Sequence, residues 1–174
     1  MYEYDVQKGE EKKLTNAPGA PGYPALSGRY VVWQDNRDYI GSSKTQFDVY
    51  LYDLETGDER KINQHTGYNQ SLQIQGNHVV WIDNSDTNYN VYLYDIETGI
   101  EKKITGTNAQ ASGVQILDDQ VAWMDGRNGN LDIYTYQLSS GQEQQLTSDS
   151  SKQADPKDEY QFGWFASSHH SCCD

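Results

Sequence analysis

Residues 49–63 read VYLYDLETGDERKIN, and residues 91–105 read VYLYDIETGIEKKIT. A third version, IYTYQLSSGQEQQLT, begins at Ile133, and an earlier one, MYEYDVQKGEEKKLT, begins at Met1. The repeat extends beyond the quoted stretch, because Trp33, Trp81 and Trp123 each lie 31 residues after the first tyrosine of a copy (33−2, 81−50, 123−92). Two positions after each tryptophan comes an aspartate, at Asp35, Asp83 and Asp125. Tyr50, Tyr92 and Tyr134 are 42 residues apart (92−50, 134−92), whereas Tyr2 and Tyr50 are 48 apart (50−2). The extra residues fall in the polar run from Asp38 to Lys44, which reads as one lengthened loop. A period of about 40–45 residues built from short strands marks propeller blades. Helical repeats of that length would instead place apolar residues every 3.6 positions.

Four short segments can be read within a unit. In the second full unit they are Ser71 to Gln75, His78 to Asp83, Val91 to Ile96 and Glu101 to Thr105. Each is rich in β-branched or aromatic residues and is bounded by turn formers. The third segment, VYLYDI, is apolar or aromatic on both alternating faces, as suits a strand covered above and below. Gly9, Gly57, Gly99 and Gly141 recur in the turn between the third and fourth segments, where a positive φ costs glycine least. The fourth segment carries Lys12 and Lys13, Arg60 and Lys61, then Lys102 and Lys103, alternating with Glu11, Glu59 and Glu101. Charges of this kind suit an exposed outer edge, where they oppose pairing with another chain.

The pattern VVWQDNR…FDVYLYDLETGDERKI, repeated as VAWMDGRNGNLDIYTYQLSSGQEQQL, resembles the TolB-like β-propeller repeats of bacterial and archaeal cell-surface and periplasmic proteins. The resemblance covers about residues 1–148. It implies an all-β propeller of four-stranded antiparallel blades around a channel and an extracellular or periplasmic location, but it supplies no catalytic residue. Residues 1–165 are expected to form one propeller domain, in repeats of about 1–15 (partial), 16–63, 64–105, 106–147 and 148–165 (partial). A flexible tail, 166–174, follows. Four blades are expected, the fourth a composite of Tyr2 to Thr15 with the C-terminal segment around Pro156 and Gly163 to Phe165. Closure within a monomer is favoured; ring completion by a second chain, or head-to-tail assembly, are the alternatives.

The chain has 174 residues, only 35% of them hydrophobic, with 12% aromatic, so Tyr and Trp must supply much of the packing. A formal net charge of −13 argues against nucleic acid and anionic membrane surfaces as partners. No apolar run is long enough to span a membrane, and Met1 runs directly into a repeat with no secretory leader. Asn69 to Ser71 form a glycosylation sequon. His169, His170, Cys172 and Cys173 are metal-ligand types without converging spacing, so the tail SSHHSCCD reads as structureless.

The hairpins between second and third segments are expected on the face that carries the connections between blades. They start at Asp35, Asp83 and Asp125 and end at Asp48, Asn90 and Asp132. Asp35, Arg37, Asp83, Asp86, Asp125 and Arg127 are therefore the candidate ligand-binding residues on an acidic face. Asp125, Asn128, Asn130 and Asp132 form a calcium candidate, with oxygens at alternate positions of a glycine-containing loop. A structural role for that loop weighs more, with Asp125 and Asp132 accepting backbone N–H groups and Arg127 pairing with a neighbouring blade's carboxylate. The tryptophans are expected in the packing between blades rather than as sugar platforms. No nucleophile elbow, HExxH or phosphate loop is present. The reading is a non-catalytic binding or scaffold module for a protein, glycan or cation, with calcium the one cofactor considered. A carbohydrate-active enzyme using carboxylates at the channel mouth, or a fragment completing a larger propeller, are the alternatives.

Overall fold

The computed structural model describes residues 1–40, 46–65 and 67–148. They form fourteen strands: β1 (Tyr2–Asp5), β2 (Glu10–Lys13), β3 (Gly22–Ser27), β4 (Tyr30–Asp35), β5 (Asp48–Asp53), β6 (Glu59–Lys61), β7 (Gln70–Gln75), β8 (His78–Asp83), β9 (Asn90–Asp95), β10 (Ile100–Lys103), β11 (Ala111–Leu117), β12 (Gln120–Asp125), β13 (Asp132–Gln137) and β14 (Gln142–Gln145). One short 3-10 turn, Arg37–Tyr39, follows β4. Strands β3–β6, β7–β10 and β11–β14 each pair antiparallel in chain order, giving three four-stranded blades, here blades 1, 2 and 3. Strands β1 and β2 form a two-stranded sheet. The C-terminal partner expected for that sheet, residues 149–165, lies outside the described residues, as do the tail and residues 41–45 of the lengthened loop.

Each tryptophan is paired across the sheet with the tyrosine of the third strand: Trp33 with Tyr50, Trp81 with Tyr92 and Trp123 with Tyr134. The rings stack with centroids 6.0, 6.0 and 6.1 Å apart. All three indoles are at most 1% exposed. Trp81 packs in a cluster with Val32, Val49 and Leu51 of blade 1, and Trp123 in one with Val80, Ile82 and Val91 of blade 2. Trp33 packs with Leu14 beside the two-stranded sheet. The periodic aromatics therefore seal one blade against the blade before it, as expected from their register.

The first strands β3, β7 and β11 lie side by side toward the axis, while β6, β10 and β14 are the mostly exposed outer edges. The recurring turn glycines take φ of 70°, 82°, 70° and 68° at Gly9, Gly57, Gly99 and Gly141. A feature invisible in the repeat pattern is a bulge in each first strand, at Tyr23, Ser71 and Gly113, with φ of 51°, 54° and 61°. Only the third of these is glycine, so composition gave no cue to the bend.

The hairpin between second and third strands binds the connection that leads into the next blade. Phe47 N–H donates to Gly67 O (3.1 Å), and Tyr89 exchanges bonds with the 109–111 segment, Tyr89 N–H to Ala109 O and Ala111 N–H to Tyr89 O, both 3.0 Å. Hairpins and connections thus share one end of the blades, which places the candidate residues together.

Candidate functional site

In a strand, residues two apart project to the same face, so each Trp-x-Asp puts a carboxylate beside its indole. Trp33 Nε1–H donates to Asp35 Oδ2 (3.3 Å) and Trp123 Nε1–H to Asp125 Oδ2 (3.1 Å). The chain then turns, and two positions on an arginine folds back over the same tyrosine. Arg37 lies 4.0 Å above the Tyr50 ring and Arg127 4.3 Å above the Tyr134 ring. Each guanidinium bridges the hairpin aspartate to a glutamate of the outer strand. Arg127 Nη2 is 2.6 Å from Asp125 Oδ2 and 2.7 Å from Glu143 Oε1. Arg37 Nη2 is 2.7 Å from Asp35 Oδ2, and its Nη1 pairs with Glu59 Oε1. Asp35 and Asp125 are 1% and 0% exposed, so the paired charge is what makes their burial tolerable.

Blade 2 keeps the tryptophan, aspartate, tyrosine and glutamate of this frame but has neither the arginine nor an indole bond to the aspartate Oδ2. Trp81, Asp83, Tyr92 and Glu101 stand at the register of Trp123, Asp125, Tyr134 and Glu143, but Ser85 occupies the arginine position. Ser85 N–H and Oγ–H both donate to Asp83 Oδ1. Gln64 N–H donates to Glu101 Oε2 (2.8 Å), as Gly106 N–H does to Glu143 Oε2 (3.0 Å). The other two oxygens, Asp83 Oδ2 and Glu101 Oε1, are buried without a hydrogen-bond partner. They are the atoms that bind arginine in the neighbouring blades.

The electrostatics follow this difference. Burial raises Glu101 above the ordinary 4.5; the Gln64 N–H and His65 oppose the rise, and Asp83 adds to it. Burial also works against the Asp125 carboxylate, yet Arg127, the Gln110 N–H and the Trp123 N–H outweigh it and hold Asp125 below 3.8. Tyr92 is pushed up to about 12 by burial and by Asp83, Glu101 and Asp86. His65, exposed at the rim, sets its ring 5.3 Å from that of Tyr92.

The remaining candidates have internal partners. Exposed Asp86 accepts from Asn88 N–H and from Asn90 Nδ2. Asn128 Nδ2 donates to Tyr134 Oη (2.8 Å), and Asp132 accepts from Gln145 Nε2 (2.9 Å) and Thr147 Oγ1 (3.3 Å) rather than from backbone N–H groups. Arg127 turns to Glu143 of its own blade, not to a neighbouring blade as expected, because β13 and β14 are the strands paired beside it. Among the described residues no group of three or more His, Cys, Asp and Glu is arranged to hold a metal ion. Asp48, buried at the end of the first hairpin, is tied to Lys61 Nζ (3.0 Å) and Asn63 Nδ2 (2.8 Å). The residues missed in the sequence are Glu59 and Glu101, which read there as edge charges, together with Glu143 and Ser85. Their signal was the register itself, since position four after the tryptophan reads Arg, Ser, Arg.

No family model matches this sequence, and no curated protein matches it. Solved structures do. TolB from Acinetobacter baumannii superposes with a TM-score of 0.57 at 18% identity, over 84% of this chain and 37% of that one. The putative TolB from Agrobacterium tumefaciens gives 0.57 at 14% identity, over 79% and 52%. The β-propeller domain of the Trilobed protease from Pyrococcus furiosus gives 0.55 at 13% identity, over 75% and 44%. The chain has a TolB-like, all-β propeller fold, and it spans between about a third and a half of the length of these proteins.

Proposed function

We propose that this chain is a non-catalytic binding or scaffold module that receives a protein or glycan ligand at the end of the blades carrying the Asp35, Asp83 and Asp125 hairpins. The observation that carries this reading is the contrast in charge balance along that end. The acids of blades 1 and 3 are consumed by Arg37 and Arg127, whose own Nε atoms are the unpartnered ones there, whereas in blade 2 two carboxylate oxygens, Asp83 Oδ2 and Glu101 Oε1, have no internal partner. A surface that leaves buried acceptors open on one hairpin is suited to an incoming donor. An extracytoplasmic location agrees with the resemblance to TolB-like repeats. No helix among the described residues is long and apolar enough to cross a membrane.

A second reading draws on Glu101. A carboxyl held above its ordinary value beside a second acid, Asp83, has the makings of a general acid acting on a glycosidic bond. Ring completion by a second chain draws instead on blade 3, where Ile133 is 37%, Leu146 55% and Leu117 68% exposed. A peptide and glycan binding panel, run with a reducing-sugar release assay and light scattering, separates the three. Saturable binding without turnover by a monomer supports the module. Turnover abolished by Glu101→Gln supports the enzyme, and a dilution-sensitive dimer supports ring completion.

A further inference from the structure

The three hairpins are an internal comparison of one site with and without its cation. In blades 1 and 3 a guanidinium lies against a tyrosine ring and joins an aspartate Oδ2 to a glutamate Oε1. In blade 2 the tyrosine, the aspartate and the glutamate are present as Tyr92, Asp83 and Glu101. Asp83 is 1% exposed, and its Oδ2 is unpartnered, as is Glu101 Oε1. No arginine or lysine among the described residues pairs with either acid; the two unpartnered oxygens are the register counterparts of the atoms that hold Arg37 and Arg127.

We propose that the blade 2 hairpin is a guanidinium-binding site, in which an arginine side chain of a partner polypeptide bridges Asp83 and Glu101 over the Tyr92 ring. This rests on the binding-module reading and names the ligand chemistry of that module. Several features select this cation. A guanidinium is planar, always charged and carries five donors in a fork, so it can serve two carboxylates at once while stacking on an aromatic face. A calcium ion wants six to eight oxygens, roughly, and the site offers two open ones. A lysine ammonium could satisfy the charge but lacks the planar fork. Ser85 and Asp86 are exposed and the serine is short, so the approach lies past the hairpin; the two acceptor oxygens are themselves covered, and an entering guanidinium must displace the groups that cover them, the His65 ring beside Tyr92 among the neighbours. His65, at the register of Ala17 and Thr107, borders the Tyr92 ring and forms no ion pair with either acid.

The test is an NMR titration of the whole chain with N-acetyl-arginine amide, and with N-acetyl-citrulline amide as a neutral ligand of nearly the same shape. The arginine compound is expected to shift the Trp81 indole and the Ser85 and Glu101 amides saturably, leaving the Arg37 and Arg127 hairpins unmoved, while the citrulline compound does not. Ser85→Arg, which supplies the guanidinium from within, is expected to weaken binding at least tenfold in a chain whose other resonances are unchanged. Asp83→Asn should do the same if it folds; Ser85→Arg decides the matter if it does not. His65→Ala should keep the binding. Equal shifts from both ligands, no saturable shift in the wild type, or undiminished binding by Ser85→Arg would overturn the proposal. A panel ligand that binds wild type and Ser85→Arg alike would overturn the site while leaving the module reading standing.

Discussion

Blade 3 and blade 2 are the same architecture with opposite electrostatic outcomes. Both bury a tryptophan against the blade before, stack it on a tyrosine and end the second strand in a buried aspartate. In blade 3 one arginine closes the frame and stabilises the charge. In blade 2 serine stands in its place, and two carboxylate oxygens go without a partner. Packing in this fold is thus set by the repeat, while charge balance is set blade by blade by a single hairpin residue.

The largest effects should not distinguish the blades at all. Trp81→Ala and Trp123→Ala are each expected to cost on the order of 3–5 kcal/mol, as for other buried large-to-small changes. Urea denaturation checks this, and a large disparity between the two would break the claim that the cores are equivalent. Arg127→Ala comes next. It leaves Asp125 buried with no counter-charge, and loss of one partner of a buried pair costs about 3–5 kcal/mol. Ser85→Arg should act in the opposite sense, gaining about 1–3 kcal/mol as charged hydrogen bonds form to Asp83 and Glu101.

Smaller effects carry the sign of the comparison. Because Glu101 titrates above 4.5 in the folded chain, its contribution is present below that value and is lost as pH rises through the folded pKa. Asp125 titrates below 3.8, so its contribution is present above that value and is lost as pH falls through the folded pKa. Stability curves of Glu101→Gln and Asp125→Asn against the parent should therefore diverge in opposite pH directions. Smallest of all, millimolar calcium is expected to leave the Asp125 amide unshifted in a two-dimensional spectrum, since both oxygens of that carboxylate already have donors.

Strand order and the buried tryptophans were legible in the sequence because each depends on a periodic, local property. VYLYDI reads as a covered strand wherever it stands, and Gly57 or Gly99 reads as a turn. The clamp was not legible because it joins residues far apart in the chain, such as Arg127 and Glu143, whose meeting depends on which strands pair. Glu59 and Glu101 look like ordinary edge charges until β6 and β10 are seen to lie beneath the hairpins. The bulges at Tyr23 and Ser71 were hidden for another reason: neither residue type favours a positive φ.

The most direct test is the carboxyl titration of Glu101, followed by side-chain carbon NMR in the wild type and in Ser85→Arg. A blade 2 frame that lacks its cation predicts a wild-type midpoint above 4.5 that drops below 4.5 once the arginine is supplied. A wild-type midpoint at or below 4.5, or one that Ser85→Arg leaves where it was, would contradict the account.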